Sequence, residues 1–181
     1  MTPKPPDILR KAHRHTDGKE RAAEKEDLRR EVWSETVETR QRYLGTCHCG
    51  AIGYAYYTDE PPATWSVRAC QCSFCRRHGA VSMSDPAGAV ELRIEQPAEL
   101  NRYRFGLKTA DFLICRRCGT YIAAVVATPS GDRATVNLNA LEHAPRDLPL
   151  AEPVDYDGET SAEERLRRRV ARWTPLTQGK G

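Results

Sequence analysis

Seven cysteines gathered into three short groups constrain this chain more than any other feature of its 181 residues. The groups are Cys47-His48-Cys49-Gly50, Cys70-Gln71-Cys72-Ser73-Phe74-Cys75 and Cys115-Arg116-Arg117-Cys118-Gly119. An odd count, behind an N-terminus (MTPKPPDILRKAHRHTDGKE) with no apolar leader, argues against a disulfide framework. Neighbours as close as Cys47 and Cys49 also make strained disulfides. Paired thiols in a reducing compartment, here expected to be the cytoplasm, point to metal binding instead. Two thiolates on a tight turn chelate one zinc ion, and a glycine after the turn supplies the left-handed backbone that such a knuckle needs. Gly50 and Gly119 hold those places.

The two end pairs, Cys47/Cys49 and Cys115/Cys118, suffice for one closed tetrahedral structural zinc. Cys70, Cys72 and Cys75 remain. Three protein ligands leave one zinc position open to water or a substrate sulfur, the arrangement of catalytic sites. His78 follows Cys75 by three residues. It could close that site as a fourth ligand, or act beside it as a proton shuttle. Arg76 and Arg77 adjoin the open position. They could pair with the carboxylates of a peptide-like thiol, or simply offset thiolate charge. An iron–sulfur cluster would require a four-cysteine run that the sequence lacks.

The net charge of +3 is spread evenly. Residues 1–42 carry 11 basic and 9 acidic side chains, residues 43–152 carry 11 of each, and residues 153–181 carry 6 and 5. No zone is strongly basic, and the Trp and Phe residues after position 42 are expected to form no stacking ladder, so nucleic acid is not an expected partner. No apolar window approaches the ~18 residues of a membrane span.

Apolar alternation predicts short strands at Ala51–Tyr57, Ala63–Arg68, Ala80–Ser84, Val90–Ile94, Asn101–Phe105, Asp111–Ile114, Tyr121–Ala127 and Ala134–Leu138, with turn residues between them. A charged extension over 1–42 carries a helix over about 18–38, and a zinc-binding β domain spans 43–152. The segment 153–181 opens on a turn at Asp155-Tyr156-Asp157-Gly158. Its capping box at Ser161-Ala162-Glu163-Glu164 starts an Arg-rich helix over about 162–173, which Pro175 ends. That helix is expected to pack Leu166, Val170 and Trp173 inward and to leave its arginines in solvent.

With their order and spacing, Gly45-Thr46-Cys47-His48-Cys49-Gly50, Cys70-Gln71-Cys72-Ser73-Phe74-Cys75-Arg76-Arg77 and Cys115-Arg116-Arg117-Cys118-Gly119-Thr120 resemble the glutathione-dependent formaldehyde-activating (GFA) family. The resemblance covers roughly residues 43–150. It implies a mainly β, zinc-ribbon-related β-tent fold with short flanking helices. It implies structural zinc on the first and third groups and catalytic zinc on the middle one. It also implies carbon–sulfur lyase chemistry that joins glutathione and formaldehyde into S-hydroxymethylglutathione. Many members place two residues between the Arg-Arg pair and the next glycine, whereas here only His78 intervenes. The rival expectation is a non-catalytic zinc-stabilised β-tent module that binds a protein partner, since a fold does not by itself confer activity. A zinc-dependent thiol-stress sensor is a third reading.

Overall fold

Strands follow from the alternating apolar pattern of the middle of the chain. The computed structural model describes residues 40–177. The helix expected over 18–38 and the tail after 177 lie outside the described residues. Within them the protein is mainly β, with eleven strands in one branched, mostly antiparallel sheet. Strand β1 (Gln41–Thr46) and β2 (Ile52–Thr58) form a hairpin around the first cysteine pair. Strand β3 (Arg68–Cys70) leads into helix α1 (Ser73–Arg77), and β4 (Ser82–Met83), β5 (Ala89–Ile94) and β6 (Leu100–Tyr103) follow. A second hairpin, β7 (Asp111–Cys115) with β8 (Tyr121–Val126), turns on the last cysteine pair. Strand β9 (Arg133–Asn137) is the branch point. It pairs with β8 along one edge, and with β4 and the C-terminal β11 (Thr174–Thr177) along the other. Strand β10 (Glu152–Val154) lies parallel to β3, and helix α2 (Ala162–Arg172) precedes β11.

The core gathers the inward faces of these strands. Tyr54, Tyr56, Ile52, Met83, Leu113, Ile122, Val90 and Val136 are all buried. Tyr54 sits under the first knuckle and donates its hydroxyl to the Asn137 carbonyl at 2.9 Å. Its ring lies flat against Gly45, its cross-strand partner, where an added Cβ would come within 2.3 Å of Tyr54 Cζ. The ring has no room to retreat. Gly45→Ala is therefore expected to lower stability by about 1–3 kcal/mol through overpacking. An unchanged midpoint in urea denaturation would refute that account.

Three segments differ from expectation. Ala63–Arg68 is not a strand: Pro61-Pro62 opens a single 3₁₀ turn over Pro62–Thr64, and pairing begins only at Arg68. Proline supplies no N–H to a ladder and favours the first position of a helical turn. Helix α2 ends at Arg172, and the chain then enters the sheet. There β11 runs parallel to β5 and antiparallel to β9, with Pro175 in register with Arg133. The third difference is an arginine that α2 buries beside its expected apolar face, on which Leu166 packs with the buried Trp173 against Ala110, Ala124 and Val126. The capping serine is as expected, with Ser161 Oγ accepting from the Glu164 N–H at 3.1 Å. The buried residue of the helix is Arg169, however, while Leu166 and Val170 are only half-buried. Arg165, Arg168, Arg169 and Trp173 share one face at helical spacing, and that face looks inward. No helix among the described residues is long and apolar enough to cross a membrane.

Candidate metal centres and the adjoining cleft

Each end pair of cysteines occupies a hairpin turn, and the two turns are built alike. Gly50 donates its N–H to the Cys47 carbonyl at 2.9 Å, and Gly119 donates to the Cys115 carbonyl at the same distance. Both glycines have positive φ, 77° and 75°, the conformation a side chain would resist. The turns bring the Sγ atoms of Cys47, Cys49, Cys115 and Cys118 within 4.8 Å of one another. The Cys47–Cys49 and Cys49–Cys115 sulfurs are 3.6 and 3.5 Å apart. A tetrahedron with metal–sulfur bonds of about 2.3 Å has edges of about 3.8 Å, so the set fits zinc and is too wide for a disulfide. Without a cation the four thiols disagree over ionisation. Burial pushes Cys115 up to about 12. Burial also raises Cys118, but hydrogen bonds from the Thr120 side chain and backbone outweigh it and bring Cys118 down to about 5. A divalent ion would settle all four as thiolates.

The second group is made by the end of β3 and the start of α1. Cys70 closes the strand, and Cys72 caps the helix by accepting the Cys75 N–H on sulfur at 3.5 Å. Cys75 is buried one turn in. The three Sγ atoms again lie within 4.8 Å. Hydrogen bonds from Cys70 and then Cys75 hold the Cys72 thiol far below its ordinary value, whereas the same neighbours push Cys75 far above its own. One thiolate is easy here and three are not, unless a cation joins them. All seven cysteines are free thiols.

His78 does not join the three sulfurs. It caps the C-terminus of α1, is exposed, and stacks on Phe74 at 4.4 Å between ring centroids. His48 is exposed and joins neither group. Arg76 and Arg77 are exposed as well, and neither lines the cleft described next.

A cleft opens beside Cys70, Cys72 and Cys75, with a cavity volume of about 90 Å³. The four-cysteine group takes no part in it. One wall is aromatic. Phe74 stacks with Tyr103 and Phe105 and meets Phe112 and Tyr121 edge-on, at 4.8–5.8 Å between centroids. Phe105, Phe112 and Tyr121 line the cavity. This stack overturns the expectation that the aromatic residues form none: its members are scattered over about fifty positions, and the fold assembles them. The other wall is cationic, formed by Arg68, Arg165, Arg168 and Arg169 with Tyr156 and Trp173. Glu159 holds two of these. Arg168 pairs with both of its carboxylate oxygens, and Arg165 with one of them at 3.2 Å. The Arg168 guanidinium also lies 3.7 Å above the Tyr156 ring. None of these cleft arginines stands beside a cysteine in sequence. The one local signal was the coincidence of Arg165, Arg169 and Trp173 on a single helical face.

The fold and site thus define a mainly β protein with a pair of two-cysteine knuckles and a separate three-thiol group at a cleft, both donor sets suited to a soft divalent metal. The model of the glutathione-dependent formaldehyde-activating enzyme family matches residues 42–153, and the chain belongs to that family. A crystal structure of a Rhodobacter sphaeroides protein is similar over 61% of this chain and 99% of that one, at 33% identity and a TM-score of 0.48. No curated protein sequence matches the chain.

Proposed function

We propose that the protein joins a small aldehyde such as formaldehyde to glutathione or a related low-mass thiol, a carbon–sulfur lyase activity written in the direction of addition. Cys70, Cys72 and Cys75 would hold the catalytic zinc, and Cys47, Cys49, Cys115 and Cys118 a structural one. One observation carries the reading: of the two thiol groups, the three-cysteine group alone lines the cleft. Family membership supports the substrate pair.

The addition breaks the thiol S–H bond and the carbonyl π bond and forms one sulfur–carbon and one oxygen–hydrogen bond, the proton lost by the thiol matching the one gained by the oxygen. Nothing is oxidised or reduced. A zinc ion on the three thiolates would supply a lowered thiol pKa or a polarised carbonyl oxygen. The chain's own residues do the rest. Phe105, Phe112 and Tyr121 exclude water from one side, and both reactants confined in one cleft gain by proximity. His78, exposed at the end of α1, is placed to exchange protons with solvent rather than to ligate. The seven free thiols suit a reducing compartment, and we assign the protein to the cytoplasm.

The test is exchange NMR on glutathione and formaldehyde with catalytic amounts of zinc-loaded protein. The expected result is interconversion of free and hydroxymethylated glutathione faster than the spontaneous rate, returning to that rate with metal-stripped protein. A spontaneous rate with both zinc ions verified present would overturn the enzyme reading and favour the non-catalytic module.

A further inference from the structure

Two of the four cleft arginines have no carboxylate. Arg165 and Arg168 share the single carboxylate of Glu159. Arg68 is buried, and its guanidinium is met by hydroxyls, Ser84 Oγ at 2.6 Å and Ser66 Oγ at 3.4 Å. Arg169 is 7% exposed; one terminal nitrogen donates to the Thr109 hydroxyl, and its Nε has no partner. The guanidinium packs over the Trp173 ring at 4.9 Å. Among the described residues no acidic side chain lies within ion-pair distance of either arginine; Asp157 lines the same cavity, and Glu159 acts on Arg169 only at longer range. A buried charge is expensive unless a counter-charge meets it, and a guanidinium fork is shaped to take a carboxylate. Both side chains line the same cavity as the three thiols.

Position along β3 adds a length scale. Arg68 and Cys70 are two residues apart on one strand, so their side chains leave the same face, with Cα atoms about 6.6 Å apart. An anion held by Arg68 would share a cavity of about 90 Å³ with a sulfur bound at the three-thiol group, which leaves room for a compact molecule only. Arg169 comes from α2, outside the family-matched residues 42–153, as do Tyr156, Arg165, Arg168 and Trp173. The C-terminal segment thus builds a wall that the matched region does not supply.

We propose that Arg169 and Arg68 form a subsite for a carboxylate borne by the thiol substrate close to its sulfur, so that the preferred thiol is a compact mercapto acid. This rests on the open metal position proposed above. Compensation of the thiolate centre's own negative charge is the competing use of the two arginines, and it gives a different result, because it creates no preference among thiols.

The experiment uses protein with cobalt(II) in place of zinc, whose visible absorption reports a new sulfur ligand independently of turnover. Three probes are titrated: 3-mercaptopropionate, 2-mercaptoethanol and glutathione. We expect 3-mercaptopropionate to shift the spectrum at a concentration at least tenfold below that of 2-mercaptoethanol. Glutathione, whose carboxylates lie farther from its sulfur, should come between or below. In Arg169→Gln the preference should fall toward parity, and Arg169→Lys should keep part of it. Equal binding of 3-mercaptopropionate and 2-mercaptoethanol by the unaltered protein would overturn the subsite and leave the open position standing; this comparison needs no variant to fold. Glutathione binding more tightly than 3-mercaptopropionate would overturn the short spacing. No spectral change with any thiol would overturn the open position, and the subsite with it.

Discussion

Cys115→Ser is expected to cost the protein its fold and not merely a metal ion. Cys115 is 1% exposed, as is Cys47, and the four-cysteine group joins the β1–β2 hairpin to the β7–β8 hairpin across some seventy residues. The first hairpin leads through β2 to β5 and β11, and the second through β8 to β9. The clip therefore pins both arms of the branched sheet. A structural zinc is worth about 10–16 kcal/mol apparent at neutral pH. A whole domain has about 5–15 kcal/mol of net stability. The two are of one size, so the sheet has little left once the ion goes. Chelation of the loaded protein and Cys115→Ser should both abolish the cooperative thermal transition seen by circular dichroism, and zinc should restore it only to the chelated protein. A variant that melts cooperatively within a few degrees of the unaltered protein would show that the clip is dispensable.

What the sequence disclosed was what is local. Each knuckle is closed by hydrogen bonds spanning a few residues, and its glycine marks the turn, so spacing alone pairs Cys47 with Cys49 and Cys115 with Cys118. The same holds for the Ser161 cap of α2. The cleft was illegible for the opposite reason. Phe74 meets Phe112 and Tyr121 because β6, β7 and β8 fold back on one another, and no periodicity encodes that. Strands β10 and β11 are short, carry Pro153 and Pro175, and are defined by partners about eighty residues away, so alternation had nothing to register. Helix α2 misleads in a more instructive way. Leu166 and Trp173 of the apolar stripe do pack inward, yet Arg169 is buried beside them, with its guanidinium laid against Trp173. Arginine can bury its apolar stem, so an arginine that faces inward leaves no mark on the apolar pattern of the helix.

Cys75→Ser should behave as the reverse of Cys115→Ser. Cys75 belongs to α1, five residues of which only that cysteine is buried, and the helix stands apart from the four-cysteine clip. Losing one thiol there breaks no hairpin and unpins no strand. The sheet should melt within a few degrees of the unaltered protein, while metal content falls from two equivalents to one. Turnover should fall far more. Lewis-acid stabilisation by a bound metal is worth several kcal/mol, and each 1.36 kcal/mol is tenfold in rate, so a loss of about a thousandfold is expected. Elemental analysis, the melting curve and the exchange rate together separate this from general damage, because damage would lower all three in step. Two equivalents of zinc with an unchanged rate would remove Cys75 from the site. One equivalent with an unchanged rate would remove the second metal from the chemistry and leave Cys70, Cys72 and Cys75 with a structural task. The asymmetry between the two substitutions follows from topology. A metal that joined two hairpins would stabilise the chain, whereas a metal held by one strand end and one short helix would stabilise almost nothing, and its coordination would be free to serve whatever enters the cleft.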